Sequence, residues 1–384
     1  ALNSEVKYLE YSEIPGNFLL EEIYKDRIVS VEVSDKIILA VGNKCAAFAL
    51  SDAQALKVLS DETVAKCGFG LKNSMHKAGM AFGGRLFDIE VMHYLVDASR
   101  SHKIDYLLSG YMDIHFEAKP REAAPQVVQL DLFSAAQPEI TDAADDTPQR
   151  VSVASFLLVP YIKGDLEKNG VYDLYENVEM PLISTLYEME KVGVKVDVAQ
   201  LKEFGRALSD KIAALEQQIR EIASDPMLNV QSPRQIGVLL YERLALDPKA
   251  KKTRSGAYPT DEETLAAIAD RHPVVDMILE YRGLRKLLGT YIEPFPTYIN
   301  PEDGRVHTTF TQALTATGRL SSVKPNLQNI PVRSDLGQEI RRAFVPEADY
   351  IVSADYSQIE LRIMAHLSED EGLIEDFRKG DDIH

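Results

Sequence analysis

Asp355 stands at the end of an apolar run, Tyr350-Ile-Val-Ser-Ala354, and just ahead of an amphipathic stretch, Gln358–Leu367. A carboxylate at a strand-to-helix junction is well placed to hold a hard cation through oxygen. The backbone N–H groups of Tyr356 and Ser357 fall at the helix start, where they can face phosphate. Glu360 comes five residues later and projects near the same mouth. The same spacing serves a plainer purpose, with Asp355 as the cap of the helix. Basic residues gather upstream. Between Arg305 and Val345 there are six (Arg305, Arg319, Lys324, Arg333, Arg341, Arg342) against two acids, Asp335 and Glu339. A second knot is Lys249, Lys251, Lys252 and Arg254. Such strips can neutralise phosphate, although any one of these lysines is also an ordinary solvated charge. A third candidate is Gln129-Leu130-Asp131-Leu132-Phe133, two apolar anchors and a Gln in polar surroundings. It suits an extended peptide docking on a partner, or a short strand folded back on its own domain.

The chain as a whole is acidic, with 60 Asp and Glu against 42 Lys and Arg and a net charge of −18. A uniformly basic nucleic-acid binder is therefore excluded. An acidic body with local basic strips fits either a protein that holds DNA along one face or an ordinary acidic enzyme. With 384 residues, 45% of them hydrophobic and 27% charged, the chain can bury two or three cores. It contains no run of 18 apolar residues and no signal-peptide pattern, so no membrane partner is expected and a cytoplasmic location is. Cys45 and Cys67 lack metal-site spacing and are expected to be buried thiols.

The elements that must position these residues can be read from periodicity. RIVSVEV, KIILAVG and CAAFAL, over residues 27–50, predict a three-stranded meander. Helices are expected at 53–59, 70–79 and 86–98, giving an α/β or α+β domain. Residues 118–150, rich in Ala, Pro, Gln and acid, predict a flexible loop, with order resuming near Val151. Residues 173–225 predict two long helices around an extended joint at 192–197. Asp197 caps the second, whose apolar stripe is Leu201, Phe204, Leu208, Ile212, Leu215, Ile219 and Ile222. Ser232-Pro233 starts another helix, and Thr260-Asp-Glu-Glu263 reads as a capping box. Long helices over 180–290 suggest an elongated arm. Strands are expected at Val306–Leu314 and Tyr350–Ala354, and no internal repeat is present.

Asp355-Tyr-Ser-Gln-Ile-Glu-Leu-Arg362 resembles motif A of the family A DNA polymerases. Thr315-Ala-Thr-Gly-Arg-Leu-Ser-Ser322 and Pro325-Asn-Leu-Gln-Asn-Ile-Pro331 resemble the family's segment upstream of motif A, and Asp382-Ile-His384 resembles the start of its segment downstream. The likeness runs from about Tyr172 to His384. It implies a fold of three parts: an exonuclease-like α/β domain (1–165), a mostly-α thumb (173–300), and the start of an antiparallel-sheet palm (301–384). It also implies template-directed addition of dNTPs to a primer 3′-OH, with two Mg²⁺ ions serving an in-line displacement. Asp355 would hold metal with the Tyr356 carbonyl. Ser357 and Gln358 would border the nucleotide, Glu360 would crowd a ribose 2′-OH, and His384 would face the triphosphate. Arg319 would reach the primer end, and Asn326, Gln328, Asn329 and Arg333 would line the primer-template path. Lys251, Lys252 and Lys286 would hold duplex phosphates without reading bases. The family's second metal-binding acid belongs to a later motif that these residues do not contain. The chain is therefore expected to be a piece of a longer polymerase, inactive by itself.

The resemblance implies a dead proofreading domain too. Val31-Glu32-Val33 stands where an active exonuclease has Asp-x-Glu. Gly70 and Ser74 replace the Asn and Asp of the second motif, and Ser152–Val159 lacks the Tyr-x-x-x-Asp of the third. Asp88 is a lone remaining acid, and alternation turns Glu32 to the opposite sheet face. Gln129–Phe133 looks like the pentapeptide by which bacterial proteins bind the sliding clamp. The alternative reading is a non-catalytic fragment that holds primer-template and the clamp.

Overall fold

The computed structural model describes residues 6–117, 145–254, 256–331 and 335–380. The expected meander forms Ile28–Val33, Lys36–Val41 and Lys44–Ala49, paired antiparallel, with Val31 opposite Leu39 and Val33 opposite Ile37. Three short strands extend it in parallel: Ser12–Glu13 on one side, Ala65–Gly68 then Leu86–Asp88 on the other. The central strands are buried over nearly their whole length, so both sheet faces are covered. The 22-residue helix Thr147–Lys168 lies across Ile28–Val33 and Lys36–Val41.

Two expectations shift here. Residues 86–98 are not all helix. Leu86–Asp88 pairs with Ala65–Gly68 as a strand, and the helix is Ile89–Val96, because Asp88 ends the strand by capping it. Order also resumes before Val151. Pro148 sits in the first helical turn, where a missing N–H costs nothing. Arg150 is buried, its Nε and Nη2 donating to Asp146 at 3.0 and 2.8 Å and its Nη1 to the Leu9 and Phe116 carbonyls. That network fastens the helix start to the strand edge.

A second core is separate from the first. The helix Val198–Ile222 starts at Asp197, whose carboxylate accepts from the Gln200 N–H at 3.0 Å. It buries Leu201, Leu208, Ile212, Leu215 and Ile219, with Phe204 and Ile222 half-buried, against the helix Pro273–Leu287. The preceding helix, Met180–Val192, departs from the expected two-helix arm. Its Met180, Ile183 and Tyr187 belong to the core of the sheet domain. Ser232 caps Pro233–Gly237 as expected. Thr260 caps nothing. Asp261 caps Glu262–Ala266, and the buried Thr260 instead accepts from Arg282.

The strand expected over 306–314 is split. Arg305–Val306 pairs with Val194–Lys195, whereas Thr309–Thr311 pairs with Ser321–Val323. His307 and Thr308 turn the chain between these partners. The His307 ring nitrogens meet the Glu190 carbonyl at 2.7 Å and the Asp303 carboxylate at 2.9 Å. The Thr308 hydroxyl donates to the carbonyls of Val323 and Pro325. Tyr350–Ala354 is not a strand. All five residues are exposed, and no described strand lies beside them to accept or donate backbone hydrogen bonds. Among the described residues no helix is long and apolar enough to cross a membrane.

Candidate nucleic-acid interface

Asp355 is exposed and does not cap the next helix. That helix, Ile359–Ser368, begins four residues later behind Gln358, whose backbone is left-handed. Arg362 draws the connecting turn in, its Nε donating to the Ser357 carbonyl at 2.9 Å. Its guanidinium also lies over Phe377 of the helix Glu371–Lys379, 4.5 Å from the ring centre. Ser357 and Glu360 are exposed, and Tyr356 is 79% exposed. Glu360 lies 4.0 Å from Arg319, itself exposed. The segment around Asp355 and the hairpin bearing Arg319 thus share one side of the molecule, as the sequence suggested.

Other expected contacts prove to be loop architecture. The Asn326 side-chain oxygen accepts the N–H groups of Gln328 and Asn329 at 3.0 and 3.2 Å. Gln328 spans the same loop, accepting from the Ser322 N–H at 2.9 Å and donating to the Leu320 carbonyl at 3.1 Å. The Asn329 carbonyl accepts from the Tyr291 hydroxyl. These amides rigidify residues 320–329, leaving only exposed edges to meet a ligand. In the helical region Lys251 and Lys286 are exposed. Lys252 pairs with Glu242 at 2.9 Å and sits over the Tyr258 ring. Arg333, His384 and Gln129–Phe133 lie outside the described residues.

The positions expected for an exonuclease are filled. Val31 and Val33 are wholly buried. The Ser74 hydroxyl accepts from the Val33 N–H at 3.3 Å, tying a helix to the strand end. Gly70 takes a left-handed turn at φ 65°. Asp88 spends its oxygens on backbone. It accepts from Leu71 at 2.6 Å, Gly70 at 3.4 Å, Glu90 at 3.0 Å and Val91 at 3.3 Å, capping two helices. Burial pushes its carboxyl above the usual range, against those four N–H groups. Glu32 leaves the core side of the sheet, and burial raises it to about 7 with Lys77 pulling back. Among the described residues no group of three or more His, Cys, Asp or Glu side chains could hold a metal ion.

One polar cluster was missed. Glu190, 4% exposed, pairs with Lys72 and lies 2.6 Å from His76. It also accepts the Phe310 N–H at 2.6 Å, while Lys72 donates to the Phe310 carbonyl at 2.8 Å. One peptide of the hairpin is held on both sides. Burial pushes Glu190 up, but His76, Lys72 and the Phe310 N–H together bring its carboxyl below the usual range. The cluster borders a cavity of about 540 Å³ between the sheet domain and the hairpin. A signal for it existed: Glu190 extends the buried row Ile183, Leu186, Tyr187 at helical spacing, where a charge needs a partner.

Residues 198–384 match the model of DNA polymerase family A. The chain is 40% identical over 333 residues to DNA polymerase I of Caldicellulosiruptor bescii, covering 85% of this chain and 36% of that protein. It is 52% identical over 222 residues to DNA polymerase I of Bacillus subtilis, covering 57% of this chain and 25% of that one. It thus spans little more than a third of these relatives at most. Among solved structures, the POL domain of Pol1 from M. smegmatis, in complex with DNA primer-template and dNTP, superposes with a TM-score of 0.81 at 29% identity. That match covers 97% of this chain and 65% of the other.

Proposed function

The chain belongs to DNA polymerase family A, and from that premise we propose that it forms the exonuclease-like domain, thumb and first part of the palm of a template-directed DNA polymerase. The observation that carries this is Asp355 held in solvent ahead of Ile359–Ser368, on the side where Glu360 and Arg319 meet. The Asp355 carboxylate and the Tyr356 carbonyl are oxygen donors of the kind Mg²⁺ takes. Mg²⁺, when bound, would supply charge neutralisation at the triphosphate and at the attacking 3′-OH. One carboxylate holds such an ion weakly, so a second acid from elsewhere in a complete enzyme must share it. Glu360 stands beside the incoming dNTP and crowds a 2′-OH. Ser357, Gln358 and His384 border the nucleotide. Arg319 meets the primer end, releasing Glu360 from a contact that is weak in water. Asn326, Gln328, Asn329 and Arg333 flank the primer-template, and Lys251, Lys252 and Lys286 hold its phosphates.

In this reading the exonuclease-like domain does no hydrolysis. Its strand end presents methyl groups where carboxylates would be needed, and Asp88 is committed to backbone. The test is primer extension by a polymerase containing this chain. Asp355→Asn should lower kcat at least about a thousand-fold with the fold intact, since it removes a metal-binding charge and little else. Extension within ten-fold of the parent would sink the assignment. Gln129–Phe133 is the proposed contact to a sliding clamp. Leu132→Ala with Phe133→Ala should abolish clamp binding in fluorescence polarisation, and unchanged binding removes that partner.

A further inference from the structure

The hairpin Thr309–Thr311/Ser321–Val323 carries a nine-residue loop, 312–320, that ends beside Arg319. Its tip, Thr315-Ala-Thr-Gly318, is a tight turn, with Gly318 at φ 78°. In such a turn the carbonyl of the first residue commonly accepts from the N–H of the fourth. Here a side chain from the sheet domain takes that place. The Tyr94 hydroxyl donates to the Thr315 carbonyl at 2.5 Å and accepts from the Gly318 N–H at 3.1 Å. Tyr94 belongs to the helix Ile89–Val96, is 5% exposed, and packs edge-on to His102. The turn is closed a second time by Thr315, whose hydroxyl donates to the Arg319 carbonyl at 2.7 Å. At the loop's other end the Gln312 amide nitrogen donates to the Glu179 carbonyl at 2.9 Å, and Glu190 and Lys72 grip the Phe310 peptide.

A surface loop of this length normally loses much of its order to solvent. This one has its tip pinned by a buried phenol whose helix belongs to another core. We propose that Tyr94 is a positioning residue for Arg319. The sheet domain, through that hydroxyl, fixes the turn from which the guanidinium meets the primer end. The proposal rests on the reading that Arg319 contacts DNA. It assigns a task to a domain that has no apparent chemistry left: holding the palm's hairpin in register with bound duplex.

Tyr94→Phe keeps the ring and removes only the bridge. With the 384-residue chain and a fluorescent primer-template, Tyr94→Phe should weaken binding about three- to ten-fold, the range of one hydrogen bond. Arg319→Ala should weaken it at least as much. In the Arg319→Ala background, Tyr94→Phe should cost less than two-fold, because its effect passes through the guanidinium. Amide exchange at Gly318 should speed about ten-fold in Tyr94→Phe, with protection in Ile28–Val33 unchanged. If Arg319→Ala leaves binding intact, the reading of Arg319 fails and the proposal falls with it. If Arg319→Ala weakens binding but Tyr94→Phe does not, or if the two losses multiply, Tyr94 does not position Arg319 and only this inference is overturned.

Discussion

At the end of Ile28–Val33, Val31 and Val33 lie wholly inside the first core, and the neighbouring Asp88 carboxylate is surrounded by backbone N–H groups. Around Asp355 the chain is open to solvent from Tyr350 through Ser357, and of the helix Ile359–Ser368 only Ala365 is buried. Both places look, in sequence, like a β-strand leading to an acid-bearing site. The difference teaches what a metal site requires. A carboxylate that holds a cation must be left without a better partner. The first place has converted its acids into packing or capping, so folding now depends on it. The second keeps an acid that folding does not use.

That contrast can be broken from the side of stability. Val31→Asp should be the most damaging change. It places an acid with no partner at 0% exposure and should cost about 4 kcal/mol or more, without creating nuclease activity. A thermal unfolding midpoint within a few degrees of the parent would show that the site still accepts charge. Glu190→Gln comes next. It leaves the Lys72 ammonium facing a neutral amide in a half-buried cluster and should cost about 2–4 kcal/mol. The same cluster gives a pH signature. The folded-state pKa of Glu190 lies below its unfolded value. Its contribution is therefore complete above an ordinary Glu pKa of about 4.3 and is lost as pH falls through the lower, folded value. Acid titration should loosen the Phe310 amide in wild type and do nothing further in Glu190→Gln. Equal behaviour of the two proteins would dismiss the cluster as the joint. Asp355→Asn sits at the small end. An exposed acid outside any cap should change stability by less than about 0.5 kcal/mol, whatever it does to extension. A loss above about 1 kcal/mol would mean that folding uses Asp355 after all.

Much of this was legible in advance where one local rule governs. Alternation over residues 27–50 locates the meander, and the 3.6-residue stripe from Leu201 to Ile219 locates the long helix with Asp197 as its cap. The errors share a cause. Thr260 has a capping-box pattern, yet Asp261 caps, because Arg282 claims Thr260. Tyr350–Ala354 has the composition of a strand, yet strands exist only by pairing, and no described neighbour pairs with it. Met180–Val192 has the length of an arm helix but gives its apolar face to the first core.

By itself, the order of residue types determined the family, the meander, the capped helix and the acid of motif A, since each depends on neighbours within a few positions. Tertiary structure alone decided that Asn326 and Gln328 brace their own loop, that Asp88 serves two helix ends, and that Glu190 and Tyr94 hold a hairpin more than a hundred residues away. Those assignments depend on which buried donors and acceptors meet across the chain. A hydrogen bond is a matter of a few ångströms in space, and separation along the sequence says nothing about that distance.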